Sequence, residues 1–209
     1  MESIVPVSRD YGISQGGSIA RRYIDMYVQE QISKINLYNK SVVEIGNDRY
    51  SCCIEGCKKI IIRNVVTDDH PEIHFADLET GEGCDQNIAD LVILTNVLSC
   101  LYDVKAALKN TNKMLKKNGV AIITVPGIAH LCQKDYQTYG QFWRFTPKCL
   151  ERLVGDTFDI FEYNYKAYGN VKAATKFLYG ESVKVLSEEE LMFIDEDYPM
   201  VIGATVKKC

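Results

Sequence analysis

The chain has 209 residues, of which 46% are hydrophobic and 25% are charged, and its formal net charge is −4. This length suits one α/β domain with its own core, and the composition is ordinary for a soluble globular protein. The lysines and arginines are scattered, so the chain lacks the basic surface typical of nucleic-acid binding, and no apolar run approaches the roughly 18 residues of a membrane span. Because no secretory signal is visible at the N-terminus, we expect a cytoplasmic protein. Because no basic surface is evident, we expect a small or protein-bound substrate and no nucleic acid.

Eight cysteines are many for this length. The only tight group is Cys52, Cys53 and Cys57, and no Cys-x2-Cys pair or histidine at zinc-finger spacing accompanies it. In a cytoplasmic chain such thiols are expected to stay reduced and to pack as small apolar residues. We therefore expect no metal site.

The first half of the chain predicts a helix followed by four short strands. A ragged helical period covers residues 19–35, and the apolar runs after it end in glycine or in polar residues. The predicted strands are 41–46, 59–66, 73–77 and 90–96. The fourth is almost entirely apolar, which is typical of a central strand.

The second half predicts a helix capped by Asp103 and stopped at Asn118-Gly119, and then a fifth strand over 120–126. An aromatic-rich loop over 130–146 and a helix over 147–154 follow. The rest of the chain predicts a strand over 158–168, a helix over 171–178 and a strand over 200–206. Strands that alternate with helices predict an α/β fold, a doubly wound and mainly parallel sheet with helices on both faces. Such sheets bind ligands beyond the carboxyl ends of their central strands.

Several segments, taken in order, carry a family resemblance. They are Val43-Glu44-Ile45-Gly46, the acidic end of the second predicted strand, Ala76-Asp77-Leu78, residues 90–98, the helix end 114–119 and the strand 120–127. Together they resemble the class I S-adenosylmethionine (SAM)-dependent methyltransferases. The resemblance implies a Rossmann-like, seven-stranded sheet, SAM as the cofactor and methyl transfer to an acceptor.

A narrower resemblance extends over almost the whole chain. Four segments are similar to methyltransferases associated with bacterial surface-polysaccharide (capsule or O-antigen) synthesis: 18–25, 142–147, 168–171 and 195–199. This implies O-methylation of a sugar or of a phosphorylated precursor, and it allows a homodimer. We expect one domain over residues 1–209, with a helical cap (1–40), a SAM-binding half (41–126) and an acceptor-side half (127–209).

The glycine turn departs from the family pattern. Where Gly-x-Gly-x-Gly is usual, this chain has Gly46-Asn47-Asp48-Arg49-Tyr50. Glycines in that turn let the backbone approach the cofactor closely, so side chains there narrow the pocket or shift the cofactor. An inactive, methyltransferase-like binding subunit is therefore the alternative function. A Rossmann oxidoreductase fits less well, because its dinucleotide turn needs more glycines.

Each expected cofactor contact has a structural alternative. Glu44 should be buried, so it either anchors the cofactor or its loop, or links to backbone amides. Asp68 or Asp69 could accept both ribose hydroxyls, or form a polar turn before Pro71. Asp77 could accept from the adenine amino group, or cap the turn after it. The expected cofactor contacts are Glu44, Gly46, Asn47, Tyr50, Asp68, Asp69, Asp77, Leu78 and Asn96.

The acceptor is expected at the aromatic-rich loop. Many relatives have an acid–histidine pair where this chain has Ser99-Cys100. His130 follows the fifth strand, so His130 and Tyr136 are the expected catalytic residues, with Asp135 and Tyr139 in the same pool. Methyl transfer itself calls for no metal. The expected acceptor contacts are Tyr23, Tyr139, Trp143 and Arg144. Of these, Arg144 could clamp a phosphate or carboxylate, or instead tie down a packed loop.

Overall fold

Seven strands form a single sheet in the order β3-β2-β1-β4-β5-β7-β6. The computed structural model describes residues 3–64 and 70–209, apart from the side chain of Phe161. The strands are β1 Ser41–Ile45, β2 Lys58–Arg63, β3 Ile73–Phe75, β4 Ala89–Thr95, β5 Leu115–Pro126, β6 Ile160–Tyr168 and β7 Val201–Lys208. Strands β1 to β5 pair in parallel, whereas β7 runs antiparallel to β5 and β6. The predicted mainly parallel α/β sheet is confirmed.

Helices cover both faces of this sheet. They are α1 Ile19–Ile32, α2 Val104–Met114, α3 Gln133–Tyr139, α4 Pro147–Gly155, α5 Val171–Leu178 and α6 Glu188–Met192. Helices α2 and α4 bury their apolar residues against one face, and α1, α5 and α6 bury theirs against the other. No helix within the described ranges is long and apolar enough to cross a membrane.

Local capping signals explain where several helices begin. Asp103 accepts a hydrogen bond from the backbone N–H of Ala106 at 2.9 Å, as expected for the cap of α2. Helix α6 was not predicted, although its signal is present in the sequence. Ser187 and Glu190 form a reciprocal capping box at its start.

Two local predictions were wrong. Asn118-Gly119 does not end a helix, because α2 ends at Met114 and the next residue already belongs to β5. The pairing of β4 with β5 shifts between Ala89 and Leu91, and Asn118 takes a φ of 61° inside this irregularity. Asn and Gly suit both a helix stop and a β-bulge, so the dipeptide alone cannot distinguish them. The aromatic-rich segment 130–146, expected as a loop, contains α3.

The connections in the first half of the sheet are short. Between β1 and β2 the chain forms only a 3₁₀ turn, Ser51–Cys53, and among residues 46–64 and 70–88 no α-helix occurs. The turn after β1 therefore does not lead into a helix whose N-terminus could face a ligand. Any ligand at this end of β1 must be held by side chains and by the loop backbone.

Candidate functional site

A cavity of about 580 Å³ lies beyond the carboxyl ends of β1, β4 and β5. Its sheet side is formed by residues at or just after these strand ends: Ile45, Asn47, Thr95, Asn96 and Pro126. The other side is formed by the start of α1 and the segment before it: Tyr11, Ile13, Gly17, Ser18, Ala20, Arg21 and Ile24. Its position follows the rule for ligand sites in open α/β sheets, and its volume lies in the range of small-molecule pockets.

Gly46 ends β1 with a φ of 95°, which favours glycine. Its N–H donates to the carbonyl of Ile62 at 2.9 Å, and its own carbonyl accepts from Arg63 Nε at 2.7 Å. A Cβ placed at Gly46 would meet no atom within 4 Å. Backbone conformation, and not crowding by the protein, therefore requires glycine here.

Glu44 ties the loop after Gly46 back to the sheet. Its buried carboxylate accepts from the backbone N–H of Ser51 at 2.8 Å and from that of Tyr50 at 3.2 Å to each oxygen. Burial raises the pKa of the Glu44 carboxyl, and these N–H groups partly oppose that shift. Glu44 is not among the residues that line the cavity. Its contacts match the second of the two roles considered from the sequence, a structural link to backbone amides.

Asp25 joins α1 to the same loop. Arg49 donates to both oxygens of Asp25, through Nε at 3.0 Å and Nη2 at 2.7 Å, and the Tyr50 hydroxyl donates to Oδ1 at 2.7 Å. Burial raises the pKa of Tyr50 to about 12, so this phenol stays protonated at neutral pH. Tyr50 thus serves the loop and, unlike Asn47 and Arg49, does not line the cavity. The sequence analysis did not single out Asp25 as a site residue. The sequence feature that could have indicated it is its position one turn after Arg21 on the predicted helix.

Asn96 follows β4 with a left-handed backbone, φ 58°, which asparagine tolerates better than most residues. Its N–H donates to the carbonyl of Thr124 at 2.8 Å. Its side-chain Oδ1 is buried in the cavity wall and has no hydrogen-bond partner among the described residues. A buried amide oxygen normally has a donor, so a bound ligand is the natural candidate.

The remaining predicted cofactor residues lie elsewhere. Asp77 Oδ1 accepts from the backbone N–H of Glu79 at 2.8 Å and of Thr80 at 3.3 Å, so it caps the turn that follows it. Leu78 is buried in the core. Neither Asp77 nor Leu78 lines the cavity. Asp68 and Asp69 lie outside the described residues, and their contact with a ribose remains a prediction.

His130 lies behind Tyr11 and outside the cavity lining. Its Nδ1 is 3.1 Å from the carbonyl of Leu131, which favours hydrogen on Nδ1 and leaves Nε2 as an acceptor. Nε2 is buried and lacks a partner among the described residues. The His130 ring centroid is 4.6 Å from that of Tyr11 and 5.6 Å from that of Phe177.

The other predicted acceptor-side residues are dispersed. Tyr136 and Tyr139 are exposed on α3 and do not line the cavity, whereas Asp135 does. Tyr23 is fully buried in the core, and its hydroxyl donates to the carbonyl of Leu191 at 2.8 Å. Trp143 Nε1 donates to the carbonyl of Leu101 at 3.0 Å, and its ring does not reach the cavity lining.

Arg144 lines the cavity, and it also holds the surrounding loops together. Nε donates to the carbonyl of Ala129 at 3.3 Å and Nη1 to that of Trp143 at 3.0 Å. Nη2 donates to the carbonyl of His130 at 2.9 Å and to Gln141 Oε1 at 3.0 Å. All three nitrogens therefore have protein acceptors. These contacts match the second of the two roles considered from the sequence, in which Arg144 holds a packed loop in place.

No group of three or more His, Cys, Asp or Glu side chains within the described ranges is arranged to hold a metal ion. All eight cysteines are free.

The sequence matches no protein-family model and no curated protein significantly. Its structure is similar to that of a SAM-dependent methyltransferase from Archaeoglobus fulgidus, with 16% identity, a TM-score of 0.58, and coverage of 90% of this chain and 94% of that one. A SAM-dependent methyltransferase from Thermotoga maritima, described as a possible histamine N-methyltransferase, also has 16% identity and a TM-score of 0.58, with coverage of 91% and 99%.

Haemonchus contortus phosphoethanolamine N-methyltransferase 2, solved in complex with SAM, matches with 13% identity and a TM-score of 0.54 over 99% of this chain and 54% of that chain. The chain has the Rossmann-like fold of the SAM-dependent methyltransferases.

Proposed function

We propose that this protein binds SAM in the cavity beyond β1, β4 and β5 and transfers its methyl group to a small acceptor. The observation that carries the proposal is Asn96 Oδ1, a buried acceptor without a protein donor, in the wall of a cavity placed as this fold places its ligands. SAM has an ammonium and an amino group, and either can donate to such an oxygen.

The residues present fit this cofactor. Asn47 and Asn96 provide polar side chains in the cavity wall, and Gly46 provides a turn with no side chain. Asp68 or Asp69 remains our candidate for the ribose hydroxyls. When bound, SAM would supply a methyl group on a positively charged sulfur. An acceptor oxygen or nitrogen would attack the methyl carbon in line with the carbon–sulfur bond, and the sulfur would leave as a neutral thioether. The protein's main contribution is then alignment, worth up to roughly 7–11 kcal/mol.

For the acceptor, we propose a sugar or a phosphorylated precursor of a surface polysaccharide, methylated on oxygen. Three arginines line the described part of the cavity, Arg21, Arg49 and Arg144, against one carboxylate, Asp135. Asp25 pairs with Arg49, so one of these positive charges remains in excess once Asp135 is also counted. This excess supports an acceptor that carries negative charge. The resemblance of residues 142–147 to the surface-polysaccharide group supports the same class.

A base that removes the acceptor's proton would contribute about 10²–10⁴-fold. Asp135 is our first candidate, because it is the carboxylate in the cavity lining. His130 is our second candidate, since its Nε2 is a free acceptor but lies behind Tyr11, whose ring would have to move. Tyr136 is exposed on α3, so we leave it out of the proposed machinery.

One set of observations favours a second function, a binding subunit without catalysis. The glycine turn carries side chains, no α-helix follows β1 before β2, and Ser99-Cys100 replaces the acid–histidine pair. A subunit that has lost its cofactor would not bind SAM or its product, S-adenosylhomocysteine (SAH). Cofactor titration therefore discriminates the two functions.

The test is calorimetric titration of SAH into the parent protein and into Asn96→Gly. Glycine accepts the left-handed backbone but removes the unpaired amide oxygen. Loss of one such hydrogen bond predicts SAH affinity about tenfold weaker. The matched control is Asn118→Gly, which changes the same residue type at a similar φ of 61° at an exposed position of β5 outside the cavity lining.

Absence of heat with both SAM and SAH would sink the proposed function and favour the binding subunit. Equal affinities for Asn96→Gly and the parent would leave the cofactor in place but remove Asn96 from its site. We expect the control to bind SAH as the parent does.

A further inference from the structure

Two residues with strained backbones meet in the cavity wall. Among the described non-glycine residues, six have positive φ, and four of them are asparagines, which tolerate that conformation. The other two are Tyr11, with φ 63°, and Gln141, with φ 54°. They are 130 positions apart, yet both line the cavity, and Gln141 Nε2 donates to the Tyr11 hydroxyl at 2.7 Å. Strain of this kind is concentrated at ligand sites.

A chain of hydrogen bonds orients the Tyr11 hydroxyl. Arg144 Nη2 donates to Gln141 Oε1 at 3.0 Å, which fixes the amide so that its Nε2 faces Tyr11. Because Tyr11 accepts this hydrogen bond, its own phenolic proton remains available to donate. A charged donor at the start of such a chain polarises the later bonds and makes that proton a stronger donor. Burial raises the pKa of Tyr11, so the proton is present at neutral pH.

The Tyr11 ring is held in place on several sides. It stacks on Phe177 at a centroid distance of 5.8 Å and an angle of 10°, and it lies against His130. The preceding backbone is anchored, because Val7 N–H donates to the carbonyl of Tyr179 and Ser8 Oγ to that of Gly180, both at 2.8 Å. The hydroxyl is therefore positioned before any ligand arrives.

The charges of the wall indicate what this donor meets. Arg49 is paired with Asp25, and all three nitrogens of Arg144 already have protein acceptors. Arg21 also lines the cavity, and the contact seen for its guanidinium is the Tyr50 hydroxyl at 3.5 Å. A cavity with this cationic excess and an oriented O–H donor suits an oxyanion.

We propose that Tyr11 recognises the acceptor by donating its phenolic proton to a phosphate oxygen next to the methylated group. This inference rests on the proposed function, because it places the acceptor in the SAM cavity. It assigns to Tyr11 the direct contact that the sequence suggested for Arg144, whose role becomes to position Gln141 and, through it, Tyr11.

The experiment compares Tyr11→Phe with the parent protein, both saturated with SAH, in titrations with glucose 1-phosphate and with uncharged methyl glucoside. Phenylalanine keeps the ring between Phe177 and His130 and removes only the hydroxyl. We expect the parent to prefer glucose 1-phosphate, and Tyr11→Phe to bind it about tenfold more weakly or worse. SAH affinity and the thermal midpoint should not change. Tyr38→Phe, at an exposed tyrosine outside the cavity lining, is the matched control.

Gln141→Leu tests the relay with Tyr11 left in place, and it decides the matter if Tyr11→Phe does not fold. We expect a smaller loss of glucose 1-phosphate affinity, about threefold, because the hydroxyl stays but loses its orienting donor. If folded Tyr11→Phe binds glucose 1-phosphate as the parent does, the inference is wrong.

It is also wrong if methyl glucoside binds equally well, or if the parent binds neither sugar. The same titrations without SAH separate the two proposals. Phosphate binding through Tyr11 in a protein that takes no SAH would overturn the methyltransferase function alone.

Discussion

Two parts of the cavity lining differ in how their polar groups are paired. In the loop of residues 46–51, Glu44 holds the backbone N–H groups of Tyr50 and Ser51, and Asp25 holds the Arg49 guanidinium. The buried side-chain oxygen that lacks a partner in this loop is Ser51 Oγ, which lies outside the cavity lining. Elsewhere in the cavity lining, Tyr11, Asn96 and Gln141 form what we call the strained wall, since all three have positive φ. That wall leaves Asn96 Oδ1 unpaired and the Tyr11 proton available.

This difference separates stability from binding. Buried polar groups that are paired in the absence of a ligand stabilise the fold, whereas strained or unpaired groups reduce stability and are retained where a ligand completes them. Substitutions in the loop should therefore lower the free energy of unfolding. Substitutions in the strained wall should weaken binding with little loss of stability, or with a gain.

The largest effect is expected for Glu44→Leu. Leucine cannot accept the N–H groups of Tyr50 and Ser51, which would be left buried and unpaired. Each unpaired group costs about 1–3 kcal/mol, so we expect the free energy of unfolding in urea to fall by about 3 kcal/mol. Glu55→Leu, in the same connection but exposed, should change it by less than about 0.5 kcal/mol. A similar small change for both variants would break the comparison.

A smaller effect, of opposite sign, is expected for Asn96→Gly without ligand. Removing an unpaired buried amide relieves its desolvation cost, while glycine keeps the left-handed backbone. The free energy of unfolding should stay the same or rise by up to about 1 kcal/mol relative to Asn118→Gly. A clear loss of stability in urea unfolding would show that the side chain has a partner within the protein, contrary to the contrast between the loop and the strained wall.

The smallest effect concerns pH. Burial raises the pKa of folded Glu44 above its usual value of 4.5, so above that pH the folded state keeps a proton that the unfolded chain releases. The stability that protonated Glu44 contributes to the folded state is therefore fully present below pH 4.5, and it is lost as pH rises through the folded pKa. Glu44→Gln lacks this titration. The stability of the parent relative to Glu44→Gln, from urea midpoints across this window, should decline with rising pH, and a constant or rising difference would contradict the assigned shift.

Local signals in the sequence predicted most of the elements, because caps and periodicity act over a few residues. Helix α5 has the predicted bounds, Val171–Leu178, and α2 begins after Asp103. The same signals failed at Asn118-Gly119, where two local structures accept the same residues and the pairing with β4 selects one of them. The sequence also placed the cavity at the strand ends, because the carboxyl ends of parallel strands must share one edge.

Hydropathy and spacing by themselves determined the mainly parallel sheet, helices on both of its faces and a ligand edge near Gly46 and Asn96. Which side chains face that edge was decided only by the tertiary structure. Tyr11 and Gln141 form a hydrogen bond although they are 130 positions apart, and the nitrogens of Arg144 donate to loop carbonyls. Polar groups in a folded chain pair with whichever partners the fold brings near. Such partners leave no periodic trace in the sequence, so the strained wall could be found only in three dimensions.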